Sequence, residues 1–344
     1  MPTNTFARVS AVPSEMMAAQ LDAVGEPLVV REIPVPCPEK GEVLVKTAAS
    51  PINPSDIAFM MGGYGFARGL PVTPGNEGSG VVVAAGAGLM AKRLVGRRVA
   101  CFARKGLAGA WAEYMVTNAS LCVPLSSDTT FEQAATSLIN PLTAQAFMQI
   151  VRSERHPAFV NTAAASSLGR MLVRMSSREG IPLINVVRDE TQVSLLRSMG
   201  AEHVLDSTGP DFEEHLTALT QELRATLFLD AVGGPLLGRL LTASPRGTTI
   251  LAYGRLSDEP CVIEPGALIL QRKRIVGFFL SEWMERRNIL QILADIRRVQ
   301  RNLSREMQTY VRQRVPLEDV RDALDAYRRS MTEGKVLLVP AGSA

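Results

Sequence analysis

The sequence predicts an α/β protein of two domains, one β-rich and one a doubly wound parallel sheet. Three observations lead there. At 344 residues the chain exceeds what a single hydrophobic core ordinarily organises. Its first portion is a series of short apolar or alternating runs punctuated by Gly and Pro. Beyond Asn140 the pattern becomes strand, helix, strand, helix, at the spacing of βαβ crossovers.

In the first portion the strands read LVVREIPVP, EVLVKTAAS, GVVVAAGAG, GRRVACFA and AEYMVTNASLCVPL, several alternating apolar with polar as half-buried antiparallel strands do. Helical patterns are scarce there. The second portion opens with strand PAFVNTA, a turn of small residues and helix LGRMLVRMSSREG. Strand PLINVV, helix TQVSLLRSMG, strand HVLD, helix FEEHLTALTQEL and strand LFLDAVGG follow, and TTILAYG and RIVGFFL extend the sheet. Between Met284 and Met307 the residues Ile289, Leu293, Ile296, Val299 and Leu303 recur at helical spacing, with Arg297, Arg298 and Arg301 among them. This predicts an amphipathic helix with a solvated basic face. The segment VPLEDVRDALDAYRRSMTEGKVLLVP adds a last helix and a terminal strand.

Composition narrows the function classes. An apolar content of 46% with 21% charged residues is that of a soluble globular protein. No run approaches the roughly 18 apolar residues of a spanning helix, so no membrane partner is expected. The first twenty residues lack the apolar stretch of a secretory signal; Arg8 and scattered Ser and Thr leave organelle targeting open, and a cytoplasmic location is the simpler expectation. A net charge of +3 gives no ground for a nucleic-acid partner. Cys37, Cys101, Cys122 and Cys261 are widely separated, which argues against disulfides and a cysteine-rich metal site.

In a doubly wound sheet the ligand crevice lies at the carboxyl ends of the strands, and the first βα turn is the usual phosphate site. That turn runs from Thr162 to Gly169, TAAASSLG. Small side chains let backbone approach a pyrophosphate, and the next helix offers free N–H groups and a positive dipole end. Ala163 and Ser166 stand where a GxxGxxG turn would carry glycine, and only Gly169 remains. Small residues there also serve close packing alone, so the turn by itself supports two readings. The residue ending the second strand faces the adenosine ribose. Here it is Arg188, whose forked guanidinium suits a 2′-phosphate and favours NADPH. Asp189 follows, and either orients that arginine or favours NADH.

From Ile52 to Gly80 the sequence reads INPSDIAFMMGGYGFARGLPVTPGNEGSG, and here it resembles the medium-chain dehydrogenase/reductase superfamily. It looks closest to the quinone oxidoreductase and enoyl thioester reductase branches. The likeness continues through NPLTAQA, the βαβ turn, INVVRDE, AEHVLD, LDAVGG, ILAYGRL, GFFLSEW and GKVLLVP, so it spans nearly the whole chain. It implies a GroES-like catalytic domain over 1–139 and 300–344, a Rossmann cofactor-binding domain over 140–299, and an active site between them. Zinc-dependent members carry a Cys near the segment that is here Asn53-Pro54-Ser55-Asp56, and a His before the glutamate of the segment that is here Gly75-Asn76-Glu77. Neither ligand is present, nor is the cysteine-rich structural lobe, so no zinc is expected.

Without a Lewis acid, reduction of a quinone, enone or enoyl thioester is more plausible than alcohol oxidation. Such acceptors are already electrophilic, and a placed donor must meet the charge that develops on oxygen. The resemblance assigns this to Tyr64, which Gly62, Gly63 and Gly65 flank; the other reading is a tyrosine packing a turn. Asn53 resembles an active-site asparagine, and an Asn-Pro pair also initiates turns on local grounds. The resemblance further implies cofactor contacts at Asn140, Ala165, Ser166, Ser167, Leu168, Arg188, Asp189, Glu190, Tyr253, Gly254, Arg255, Leu256, Phe278, Phe279, Leu280, Ser281 and Lys335. Trp283 resembles a substrate-pocket tryptophan, with a rim or interface aromatic as the other reading. Ser166 and Ser167 offer hydroxyls that compensate for the missing glycines.

The leading reading is therefore an NADPH-dependent reductase acting on a small molecule; the late strands TTILAYG and RIVGFFL resemble those through which family members form dimers, so the resemblance implies a homodimer. A cofactor-binding protein with little catalysis, sensing redox state or serving a partner, is the competing class. It is supported by the eroded glycine turn and by three histidines, His156, His203 and His215, that all fall in the nucleotide portion.

Overall fold

The computed structural model describes residues 7–8, 12–62, 69–103 and 109–341. The chain divides into two compact units, one formed by Met1–Ile139 with Thr309–Ala344 and the other by Asn140–Gln308. The return to the first unit comes at Thr309, later than residue 300, because helix Ile289–Asn302 stays whole within the second.

The first unit is built on an eight-stranded sheet. Its path runs from Val311–Pro316 through Lys335–Val339, Glu42–Pro51, Glu77–Ala85 and Arg98–Phe102 to Cys122–Pro124, with Tyr114–Asn118 also on Glu42–Pro51 and Ala7–Arg8 on Glu77–Ala85. A separate hairpin pairs Glu15–Gln20 with Val29–Pro34. The long strands Glu42–Pro51 and Glu77–Ala85 pair antiparallel with two register shifts. Gly80 makes their approach possible, since a Cβ there would stand 2.0 Å from the Lys46 carbonyl oxygen. Leu337 and Leu338 lie opposite Pro51 and Ser50, which brings the end of the chain against Ile52 and Asn53. Beneath lies a core of Trp111, Ile52, Phe59, Leu317, Leu324 and Val336.

The second unit carries the expected parallel sheet. Its strands lie in the order His203–Asp206, Leu183–Val187, Phe159–Asn161, Leu227–Asp230, Thr249–Ala252 and Arg274–Gly277, every pair parallel. This is the doubly wound dinucleotide order. The three central strands are buried at every position, as strands covered on both faces must be. Val160, Ile184, Phe228 and Ile250 pack one face against Phe212, Leu216 and Leu240 of two helices.

The basic helix differs from its sequence pattern. It begins only at Ile289, after a separate helix Leu280–Glu285. Asn288 and Gln291 form a capping box there, each side chain accepting the other's backbone N–H at 3.0 and 3.1 Å. Val299 and Leu303 are buried, whereas Ile289 and Leu293 are exposed, so the apolar stripe is covered over its second half alone. Among the described residues no helix is long and apolar enough to cross a membrane.

Candidate functional site

In the second unit the carboxyl ends of the parallel strands form one edge, and four polar side chains fix it. Thr162 Oγ1 donates to Asp230 Oδ1 at 2.7 Å and accepts from the Ala231 N–H at 2.9 Å. Asp230 also accepts from the N–H groups of Val232 and Gly233 at 3.1 and 2.9 Å, setting the turn into helix Gly234–Ala243. The Tyr253 hydroxyl donates to Asn161 Oδ1 at 3.3 Å. Burial, and secondarily the Asp230 charge, pushes that phenol above its ordinary pKa, so it stays protonated. The Asn161 amide nitrogen is buried without an acceptor among the described residues, a donor left open at the end of the first strand.

The turn that follows is tightly built. Ala163 adopts φ +48, and Ala164 and Ala165 are buried. Ser166 is the N-cap of helix Ser167–Glu179, its Oγ accepting from the Gly169 N–H at 3.1 Å. Gly169 is required on the other side: a Cβ there would stand 2.2 Å from the Ala164 carbonyl oxygen. The one surviving glycine is thus the one that lets helix and strand approach. The first backbone N–H groups of this helix have no intrahelical acceptor and face the turn. Leu168 is buried, so its side chain belongs to the core and only its backbone faces outward.

At the end of the second strand the two sequence readings separate. Asp189 caps helix Glu190–Ser198, Oδ1 accepting from the Gln192 N–H at 2.9 Å and Oδ2 from the Gln192 amide at 2.7 Å. Its carboxylate is turned into the helix and does not orient Arg188. Arg188 is exposed, with no ion pair among the described residues, and Glu190 is exposed beside it.

The other expected contacts group around the later strands. Gly254 passes so close to Ala231 that a Cβ would meet its carbonyl oxygen at 2.7 Å, while Arg255 and Leu256 are exposed. Phe147 packs at a tilt against Tyr253 and Phe278, with ring centroids 4.9 and 4.7 Å apart. Phe279 is the N-cap of helix Leu280–Glu285, which holds Leu280, Ser281 and Trp283. Trp283 is half-buried under the Arg287 guanidinium, 4.2 Å from its ring centre. Asn140 sits in the first turn of helix Ile139–Ser153, where Pro141 is tolerated.

The first unit holds a second polar cluster, and it contains the remaining expected residues. Asn53, Asp56, Glu77 and Lys335 are all buried. Lys335 donates to the Ile52 carbonyl at 3.2 Å and to Asn53 Oδ1. Asn53 Nδ2 donates in turn to Glu77 Oε1 at 3.0 Å. Glu77 Oε2 accepts from the N–H groups of Leu138 and Ile139 at 3.2 and 3.0 Å. Asp56 accepts from the backbone of Asn53 and Asn76 at 2.8 and 2.9 Å and from the Asn76 amide at 2.7 Å. Burial pushes the Asp56 carboxyl up to about 7, against the pull of those N–H groups and of Lys335. It pushes Glu77 up as well and draws Lys335 down to about 8, although both acids favour its charged form. Two carboxyls and one ammonium therefore share a site in which neither sign is well solvated.

The sequence resembles known proteins along its length. Residues 39–127 match the family model of the alcohol dehydrogenase GroES-like domain, and residues 167–295 that of the zinc-binding dehydrogenases. The human mitochondrial enoyl-[acyl-carrier-protein] reductase is 30% identical over 98% of this chain and 92% of its own length. The chain belongs to the medium-chain dehydrogenase/reductase superfamily. The Xenopus tropicalis enoyl-[acyl-carrier-protein] reductase is 33% identical over 76% of this chain and 77% of that protein. Among solved structures, a Mesorhizobium loti protein assigned as an NADPH:quinone reductase is 38% identical, with a TM-score of 0.89 over 96% of this chain and all of that one. A mycobacterial protein crystallised with NADPH is 26% identical, with a TM-score of 0.80 over 94% of this chain and 100% of its own.

As a superfamily member the chain is an NAD(P)H-dependent oxidoreductase with a GroES-like domain and a Rossmann domain. Its own residues fit a dinucleotide: the glycine-pinned turn, the free helix N-terminus, the open Asn161 donor and the exposed Arg188 share one edge of one sheet. Among the described residues no three His, Cys, Asp or Glu side chains gather to hold a metal, and Asn53 and Glu77 are engaged around Lys335. Tyr64 lies outside the described residues. Sequence reasoning missed Asp56, Glu77, Asn161, Thr162 and Asp230. The signal was there in part, because Asn161 and Asp230 are lone polar residues ending the apolar strands AFVN and LFLD.

Proposed function

We propose that this oxidoreductase uses NADPH to deliver hydride to a quinone, an enone or an enoyl thioester, without zinc. The observation that carries the cofactor assignment is Arg188: exposed at the end of the second strand, with Asp189 committed to a helix cap, it offers a free guanidinium where a ribose 2′-phosphate lies in this fold. The names of the similar proteins support the same reading for NADPH and for the quinone and enoyl thioester acceptors.

Bound NADPH supplies the hydride; the chain's residues bind, orient and donate. The helix N-terminus at Ser166, Ser167 and Leu168 takes the pyrophosphate, and Tyr253 through Leu256 border the crevice with Phe278 to Ser281. Tyr64 donates to the acceptor oxygen as charge develops on it. Asn53 and Lys335 hold helix Pro54–Met60, from whose end the chain runs on to Tyr64. Trp283 borders the acceptor. Of the two strands expected to carry a homodimer, Thr249–Ala252 is paired on both sides, so the dimer forms through Arg274–Gly277, whose outer edge has no partner strand among the described residues.

The test is titration of NADPH and NADH by nicotinamide fluorescence, followed by loss of that signal on adding 1,4-benzoquinone or crotonyl-CoA. Tighter NADPH binding and turnover of either acceptor are expected. Equal affinities would remove the role of Arg188, and binding without turnover would favour a sensor. In Tyr64→Phe, turnover should fall roughly tenfold to a hundredfold with cofactor affinity unchanged. Equal rates would remove Tyr64 from the mechanism.

A further inference from the structure

The second unit contains a cleft of about 550 Å³ away from the nucleotide edge. Arg178 and Glu179 reach it from the carboxyl end of helix Ser167–Glu179, and Arg298, Arg301 and Arg305 from the basic helix and the turn beyond it. With roughly 1.5 Å of rise per residue, Arg178 stands about 18 Å along its helix from the phosphate turn at Ser166. The cleft is therefore a different place from the crevice that takes the dinucleotide.

Its charge is unbalanced. Glu179 pairs with Arg152 at 2.7 Å, and Glu306 pairs with Arg178 at 3.0 Å. Arg298, Arg301 and Arg305 have no acidic partner among the described residues. Arg174, just behind, is fixed on the carbonyl oxygens of Glu306 and Gln308, and burial together with Arg170 lowers its pKa. Cations are favoured at helix carboxyl ends, which accounts for Arg178 and Arg301 in their last turns. It does not account for Arg298, an inner-helix residue, or for Arg305, beyond the helix.

Nor does it account for Gln145. This side chain lines the cleft at 1% exposure, and both its amide oxygen and its amide nitrogen lack a partner among the described residues. Buried amides are ordinarily satisfied, so a complete, unused donor and acceptor lining a cationic cleft points to a ligand group that can accept and donate at once. A hydroxyl does this. Met175 and Met307 give the cleft an apolar wall, and among the described residues no aromatic side chain lines it on which a nucleobase would stack.

We infer that this cleft is a second anion site, for a small phosphorylated hydroxy compound whose phosphate meets Arg298, Arg301 and Arg305 and whose hydroxyl reaches Gln145. The volume lies in the range of ordinary small-molecule sites, and arginine is the side chain suited to phosphate oxygens. The inference is independent of the hydride-transfer reading.

Calorimetric titration of the full chain tests it, with glucose 6-phosphate, inorganic phosphate and glucose as probes, each with and without saturating NADPH. Glucose 6-phosphate should bind in both conditions, inorganic phosphate more weakly and glucose undetectably. The Arg298→Gln, Arg305→Gln double variant should lose about tenfold or more in affinity for both phosphates. Gln145→Leu should weaken glucose 6-phosphate and leave inorganic phosphate unchanged; if it does not fold, the exposed arginine pair still decides. No binding of glucose 6-phosphate up to about 10 mM, displacement by NADPH, or affinity indifferent to the arginine variant would each overturn the proposal.

Discussion

Lys335, on the last strand, donates from its ammonium to the side-chain oxygen of Asn53, 282 residues earlier in the chain. That bond closes the first unit's polar core, and Lys335 is the cation facing the buried Asp56 and Glu77. Lys335→Met keeps the length of the side chain and removes the charge. It should lower unfolding free energy by about 3 kcal/mol or more, because two buried carboxyls then lack a counter-ion. Denaturant unfolding at constant pH checks this, and a loss below about 1 kcal/mol would show that the cluster is not held by charge.

The same cluster fixes a pH dependence. Asp56 titrates near 7 when folded, against an ordinary carboxyl value of 3.8. The folded state thus binds this proton more tightly than the unfolded chain does. The stabilisation it gives is complete below the unfolded value and is lost as pH rises through about 7. Stability measured from pH 4 to pH 8 should therefore decline more steeply in the parent protein than in Asp56→Asn, which has no proton to lose. Parallel curves would mean that Asp56 is not perturbed.

How much of this was legible follows from the range of the interactions. The strand and helix alternation from PAFVNTA to RIVGFFL was readable because periodicity within a few residues dictates each element. Helix Ile139–Ser153 was not, since Asn140-Pro141 reads as a turn pair although proline is equally at home in a first helical turn. The break before Ile289 was visible only as the weak local signature of Asn288 and Gln291. Within the cluster of Asn53, Asp56, Glu77 and Lys335, only the capping-box spacing of Asn53 and Asp56 was a local signal; nothing local joined them to Glu77 or Lys335. The cluster's members meet because the last strand pairs with Glu42–Pro51, a long-range choice that no window of sequence contains.

The turn at Ser166 to Gly169 permits a separation of packing from binding. Gly169→Ala would place a methyl carbon against the Ala164 backbone, so helix and turn must move apart. It should cost about 2 kcal/mol of stability and weaken NADPH together. Ser166→Ala removes only the cap and should cost about 1 kcal/mol. If the Ser166→Ala, Ser167→Ala double variant binds NADPH as the parent does, the hydroxyls do not replace the missing glycines and the backbone N–H groups alone hold the phosphate.

Arg188 and Asp189 should divide their effects in the same manner. Arg188→Ala is expected to weaken NADPH by about 1.5 to 3 kcal/mol, roughly tenfold or more, and to leave NADH nearly unchanged, since the lost interaction is to the 2′-phosphate alone. Asp189→Ala should instead lower stability by about 1 kcal/mol through its helix cap. Equal loss of both cofactors in Arg188→Ala would assign the arginine to the pyrophosphate.

The outer edge of strand Arg274–Gly277 bears on assembly. Val276 is exposed on it, and Ile269 and Leu270, 73% and 72% exposed, end the segment that precedes it. An unpaired edge with large apolar side chains beside it is what a sheet must cover, and a second copy pairing edge to edge would bury both. A Val276→Lys, Leu270→Glu variant places charges on the two sides of that contact. Light scattering should give a dimer for the parent and a monomer for the variant, with far-ultraviolet circular dichroism unchanged because neither side chain is in the core. A monomeric parent, or a variant that stays dimeric, would move the interface away from this strand.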